Sequence, residues 1–252
     1  MNWNDASLFW LFPAVFAAGF IDSIAGGGGL ITVPAYLLAG LPPSMVLGTN
    51  KFVSSVGTLV SVIRYIRRGH LLWKAAWIGI PCTLIGSMWG AHWVAGLNPE
   101  IVRKLILILL PIAALVVLIP RPRHPDATEF PTSRRLWMTV PLIGIFLGWY
   151  DGFFGPGTGT LLMIAFYGLS HLSFLQSGAL ARVINLTSNL GALAAFVWHG
   201  QVMFRWALPL CVAGIAGNYL GSHFAFRKGA KFVRAMLAVS VSLLILSLLW
   251  GR

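Results

Sequence analysis

Residues 19–34, Gly19-Phe-Ile-Asp-Ser-Ile-Ala-Gly-Gly-Gly-Gly-Leu-Ile-Thr-Val-Pro34, set one carboxylate and four consecutive glycines inside an otherwise apolar run. Glycine is a poor helix former and a charge favours water, so the stretch makes sense only once its solvent is known. The rest of the chain supplies that solvent. Of 252 residues, 58% are hydrophobic and 10% are charged, against roughly 25% charged in a soluble domain. Runs such as Leu105 to Pro120 and Val233 to Trp250 approach the roughly 20 residues that cross a hydrocarbon core. The chain therefore reads as an all-α polytopic membrane protein. No basic n-region or small-residue cleavage site accompanies residues 8–20, which read as a first membrane segment and not as a removable signal.

Hydropathy divides the chain into segments near 8–24, 29–40, 44–66, 71–95, 101–120, 136–154, 159–170, 174–198, 203–226 and 232–250. The second and seventh are too short to span, and each follows a glycine-rich break, the pattern of a half-helix or re-entrant hairpin. A polar connection from Arg121 to Arg135 holds three prolines and four arginines. It separates an N-terminal membrane repeat, 1–120, from a C-terminal one, 136–252, with 121–135 as a basic linker. Each repeat is expected to contain about four spanning helices plus the short segment.

The two halves match. Gly148-Trp-Tyr-Asp-Gly-Phe-Phe-Gly-Pro-Gly-Thr-Gly-Thr repeats the opening stretch at an offset of 129, pairing Asp22 with Asp151, Gly26 with Gly155 and Gly28 with Gly157. An offset of 131 then pairs Lys51 with Arg182, Gly86 with Gly217, Gly90 with Gly221, His92 with His223 and Arg103 with Arg234. Basic residues favour short cytoplasmic loops. The turn holding Arg64, Arg67, Arg68 and Lys74 is strongly basic, while its counterpart near Gly200 holds only Arg205. Conversely, the counterpart of the weakly basic Arg103 and Lys104 loop carries Arg227, Lys228, Lys231 and Arg234. Equivalent loops therefore fall on opposite sides, which predicts inverted repeats with both termini outside. The net charge of +12 reports this topology and gives no support to nucleic-acid binding.

Four charges remain at membrane depth, in two repeat-related pairs: Asp22 with Asp151, and Lys51 with Arg182. A charge there costs at least roughly 2.5–3.5 kcal/mol on insertion scales and faces a partner or a polar pathway. An axis relating inverted halves would bring the two cations together around an anion. The restarting helix ends at Gly28-Gly29 and Gly157-Thr158-Gly159 would add N–H groups and positive dipole ends, and Asn50, Asn185 and Asn189 amide donors. Lys51 and Arg182 are thus the expected anion ligands. Asp22 and Asp151 are expected in a supporting or ion-coupling role, with helix capping or charge neutralisation as the structural alternative.

Other readings carry less. Gly26 to Gly29 is not a dinucleotide fingerprint, because no strand precedes it and no acidic residue follows about twenty positions later. Gly86, Gly90, Gly217 and Gly221 read as helix-packing positions. Cys82 and Cys211 read as buried small residues. Tyr150, His92 and His223 read as packing residues. No metal site, cofactor or ATP-binding signature is expected, and no nucleophile–base pair that an intramembrane enzyme would need.

Jointly, the repeated Gly-x-x-Asp-x-x-x-Gly break, Gly48-Thr-Asn-Lys51, Asn185-Leu-Thr-Ser-Asn189 and the Arg-Arg-Gly turn at 67–69 resemble the sulfite exporter TauE/SafE family of membrane permeases. The resemblance runs from about Phe16 to Leu248. It implies a bacterial inner-membrane secondary transporter of sulfur-containing anions such as sulfite, thiosulfate or organosulfonates including sulfoacetate. The family pattern falls on Asp22, Gly26 to Gly29, Asn50, Lys51, Asp151, Gly155, Arg182, Asn185 and Asn189; at position 182 the related pattern often has lysine. The expected partners are that anion and the lipid bilayer, with a homodimer left open. A passive anion channel is the alternative reading.

Overall fold

The computed structural model describes residues 6–118 and 133–225. The expected linker as far as residue 132, the segment at 232–250 and the basic stretch from Arg227 to Arg234 lie outside the described residues. Those described are helical, without strands: α1 (Ala6–Ala25), α2 (Gly29–Leu38), α3 (Pro43–Arg67), α4 (Trp73–Ala95), α5 (Pro99–Leu118), α6 (Ser133–Phe153), α7 (Thr158–Gly168), α8 (Phe174–Trp198) and α9 (204–225). α3 and α8 are displaced by 131 residues at both ends, and α2 and α7 start 129 apart, the offsets that align the sequence.

Local chemistry sets these boundaries. Pro43 opens α3, where a missing N–H costs nothing. Ser173 caps α8 in a reciprocal box with Gln176. α2 and α7, at 10 and 11 residues, reach only about 15–17 Å at 1.5 Å per residue, half of a hydrocarbon core. Among the described residues, three helices are both long and apolar enough to cross a membrane: Pro43–Arg67, Arg134–Phe153 and Leu175–Trp198.

Polarity is inverted relative to a water-soluble fold. Trp77, Ile85, Trp89 and Trp93 stand exposed on one face of α4, as do Ile108, Ile112 and Leu115 on α5 and Leu142 and Phe146 on α6. Buried in their place are Lys51, Asp151, Arg182, four asparagines and a set of Ser and Thr residues. An apolar belt of that extent belongs against lipid.

Small residues bring the helices together. The buried face of α4 is Ala75, Gly79, Thr83, Gly86, Ser87, Gly90 and Ala91, and it meets Gly144, Gly148 and Gly152 of α6, spaced four apart. A Cβ at Gly148 would lie 2.9 Å from the Thr83 carbonyl oxygen. One at Gly86 or Gly90 would overlap the carbonyls of Ile145 and Trp149. In α9, Gly217 and Gly221 overlap Phe16 and Phe20 of α1 in the same manner, so the glycines assigned to packing make equivalent contacts in both halves.

Candidate functional site

The two glycine-rich breaks meet each other. Gly26 and Gly27 adopt φ of 72° and 112°, and Gly155 and Gly157 adopt 95° and 87°, values that side-chain-bearing residues resist. Gly28 and Gly29 are already helical, and there the issue is space: a Cβ at Gly28 would lie 2.8 Å from the Ala18 carbonyl oxygen, and one at Gly29 would lie 3.2 Å from Pro156 Cα. Gly159 sits against Gly26 so closely that a Cβ would stand 2.8 Å from Gly26 Cα, and Thr160 Oγ1 donates to the Gly26 carbonyl at 2.9 Å. Gly26 and Gly27 thus turn the chain, while Gly26, Gly28 and Gly29 admit a close neighbour.

Around this junction is a cavity of about 20 Å³, lined by Asp22, Gly27, Gly29, Asn50, Lys51, Ser54, Asp151, Gly155, Gly157, Thr158, Gly159, Asn185 and Asn189. In this conformation it has room for about one water. Ten of the twelve expected site residues line it; Gly28 and Arg182 do not.

Lys51, 2% exposed, comes from the middle of α3 and reaches the opposite half. Its Nζ lies 2.6 Å from Asp151 Oδ2 and donates to Asn189 Oδ1 at 3.0 Å. Ser188 Oγ donates to the same carboxylate oxygen at 2.5 Å. Asn50 accepts from Thr32 Oγ1 at 2.5 Å, which fixes its amide.

Arg182 is placed differently from the expectation. Its Nη2 and Nε both donate to the Ser23 carbonyl, the latter at 3.0 Å, and Nη1 donates to the Gly178 carbonyl at 2.9 Å. Its guanidinium lies 4.4 Å from the centre of the Tyr65 ring. The cause is the break itself. In a continuous helix the Ser23 carbonyl would accept from Gly27 N–H, but Gly27 N–H donates to Asp22 Oδ1 at 3.2 Å. The orphaned carbonyl at the negative end of α1 then takes the arginine fork.

The aspartates also separate. Asp22 Oδ1 accepts from Gly27 and Gly28 N–H, at 3.2 and 3.1 Å, and so caps α2. The N-terminal end of α2 therefore faces its own carboxylate. At the repeat position of Gly27 stands Pro156, which has no N–H, and Asp151 is left for Lys51 and Ser188. Gly157 and Gly159 line the cavity, and their N–H groups have no backbone partner among the described residues. The hydroxyls of Thr158 and Thr160 are turned to the carbonyls of Gly155 and Gly26.

Two contacts were not anticipated. Tyr150 donates to the Pro156 carbonyl at 2.9 Å, bracing the second break. His92 and His199 approach within 3.2 Å between α4 and the end of α8. The only sequence hint was a hydroxyl six residues before a proline, and two histidines at helix ends.

Apolar helices with a lipid-compatible exterior, folded round a charged and amide-lined interior, define a multi-pass membrane protein. A family model described as Sulfite exporter TauE/SafE matches residues 11–248, and the chain belongs to that family. It is 38% identical over 242 residues to a "Probable membrane transporter protein ORF9" of Sinorhizobium sp, covering 94% of this chain and 91% of that protein. It is 35% identical over 242 residues to the "Probable membrane transporter protein YfcA" of Escherichia coli K12, covering 95% and 88%. A "Probable membrane transporter protein" of Haemophilus influenzae is 34% identical over 234 residues, covering 91% and 89%. No solved structure matches the chain.

Proposed function

We propose that this protein is a secondary transporter of small sulfur-containing anions such as sulfite, thiosulfate or organosulfonates including sulfoacetate, with Lys51 as the anion's anchor. The observation that carries the reading is Lys51 itself: a buried ammonium in a cavity bordered by Asn50, Asn185, Asn189, Gly157 and Gly159, the last two with N–H groups that have no backbone partner among the described residues. Those donors suit an oxyanion. Asp151 holds the ammonium, so an entering anion competes with that carboxylate. Separating the pair opens a cavity that otherwise fits about one water.

In this reading Arg182 is a positioning residue, because its three donor groups serve backbone carbonyls. It fixes the end of α1 against α8 and so sets the first break. The halves act as inverted-topology repeats in a bacterial inner membrane with both termini periplasmic, and the anion site is exposed to either side by movement of one repeat against the other. The common offsets of the helices and of the α4–α6 and α1–α9 glycine contacts support the repeat relationship.

The test is a thermal-shift series on purified protein with sulfite, sulfate, thiosulfate, taurine and sulfoacetate, because a ligand that binds the folded state raises its stability. One or more sulfur anions should raise the unfolding temperature saturably in the parent and not in Lys51→Gln. Equal shifts in both proteins overturn the site. Counterflow in liposomes then separates a transporter from a passive anion channel, in which no counterflow is seen.

A further inference from the structure

A second cavity of about 20 Å³ shares Asp22 and Ser54 with the first. Its other polar lining is Thr32 and Asn218, so every polar side chain facing it carries oxygen. Its volume suits one water-sized particle.

Three observations point to what that particle is. Asp22 forms no ion pair among the described residues, and its Oδ2 receives only the Thr58 hydroxyl at 3.4 Å, long for such a bond. Asn218, 3% exposed, donates through Nδ2 to the Gly214 carbonyl at 3.0 Å, yet its Oδ1 has no partner. A Cβ at Gly19 would lie 2.9 Å from that Nδ2, so the amide nitrogen is packed on the glycine side and the oxygen is the end left over. A buried acceptor without a donor is costly, more so away from water. Lastly, the intramembrane charges of Asp22, Lys51, Asp151 and Arg182 sum to zero. An anion entering alone would leave a net negative charge at depth.

We propose that this cavity binds a sodium ion through Asp22 Oδ2, Asn218 Oδ1 and the Ser54 hydroxyl, and that the ion accompanies the transported anion. One carboxylate with neutral oxygens supplies a single negative charge, the complement of a monovalent hard cation and too little for a divalent one stripped of water. Unwound helix ends are where sodium sites form in transporters built from repeats. The sodium site stands on its own residues; only its coupling to an anion rests on the function proposed above.

The experiment replaces choline chloride by sodium chloride at constant ionic strength, without any sulfur anion, and follows unfolding temperature. The parent should be stabilised saturably by sodium and less by potassium. Asn218→Ala and Ser54→Ala should each need about tenfold more sodium for the same effect, the size expected from losing one ligand to a charge. Asp22→Asn should lose the response; because Asp22 also caps α2, the other two variants carry the test if it fails to fold. Equal unfolding temperatures in sodium and choline overturn the proposal, as does an unaltered sodium response in Asn218→Ala. Repeating the anion shifts in choline separates the two readings. An anion response without any sodium response removes the cation site and leaves the anion site standing; a sodium response without any anion response does the reverse.

Discussion

Lys51 Nζ stands 2.6 Å from Asp151 Oδ2, and the two residues belong to opposite halves of the chain, on α3 and α6. Removing either partner alone strands a buried charge, at a cost of about 3–5 kcal/mol, whereas removing both leaves none. Lys51→Met and Asp151→Asn should each lower stability by about that amount, and the double variant should regain most of it. Chemical unfolding of the three proteins in detergent measures the recovery. Additive losses in the double variant would show that the two side chains are not coupled.

Arg182→Lys keeps the charge but loses the fork that spans the Ser23 and Gly178 carbonyls and the stack on Tyr65. A destabilisation of about 1–3 kcal/mol is expected from unmade buried bonds. Anion affinity should change far less than in Lys51→Gln. Titration with the best stabilising anion distinguishes the two; a complete loss of binding in Arg182→Lys would return the arginine to the anion.

Gly152→Ala places a Cβ on the Ser87 carbonyl, and Gly221→Ala places one on the Phe20 carbonyl. Each must push apart helices that touch through backbone, so both variants should lose folded yield on size-exclusion chromatography, by the roughly 1–3 kcal/mol or more typical of overpacking. Gly168→Ala meets nothing within 4 Å and serves as the control. It should be neutral or stabilising by up to about 1 kcal/mol.

Thr32→Val removes the hydroxyl that donates to Asn50 Oδ1 at 2.5 Å while keeping the side-chain shape. The stability loss should be about 1 kcal/mol. Anion affinity should fall as well, because the Asn50 amide is no longer held; a parent-like affinity would exclude Asn50 from the binding shell.

Much of this arrangement was legible in the chain. Apolar run lengths and glycine breaks placed the nine described helices to within a few residues, because a helix in lipid must satisfy its own backbone and ends only where that fails. Counting charges at depth isolated Asp22, Lys51, Asp151 and Arg182, all four of which the fold engages in polar contacts around the two breaks. Their pairing was not legible. Symmetry suggested two cations sharing one anion, but Arg182 answers to a backbone carbonyl that is left without its helical donor because the helix breaks at Gly27. Carbonyls leave no mark in a sequence. Pro156 did leave one: a proline where the first half has glycine removes the N–H that would have bound Asp151, as Gly27 N–H binds Asp22.

The ion pair across the halves also bears on how the chain is made. Lys51 precedes its partner Asp151 by 100 residues, which at roughly 5–20 residues per second is about 5–20 s of synthesis. Throughout that interval, of the two carboxylates that line the Lys51 cavity only Asp22 has been made, and the ammonium, whose insertion costs at least roughly 2.5 kcal/mol, lacks the one it bonds. A nascent first half is therefore incomplete in its own interior until α6 supplies Asp151.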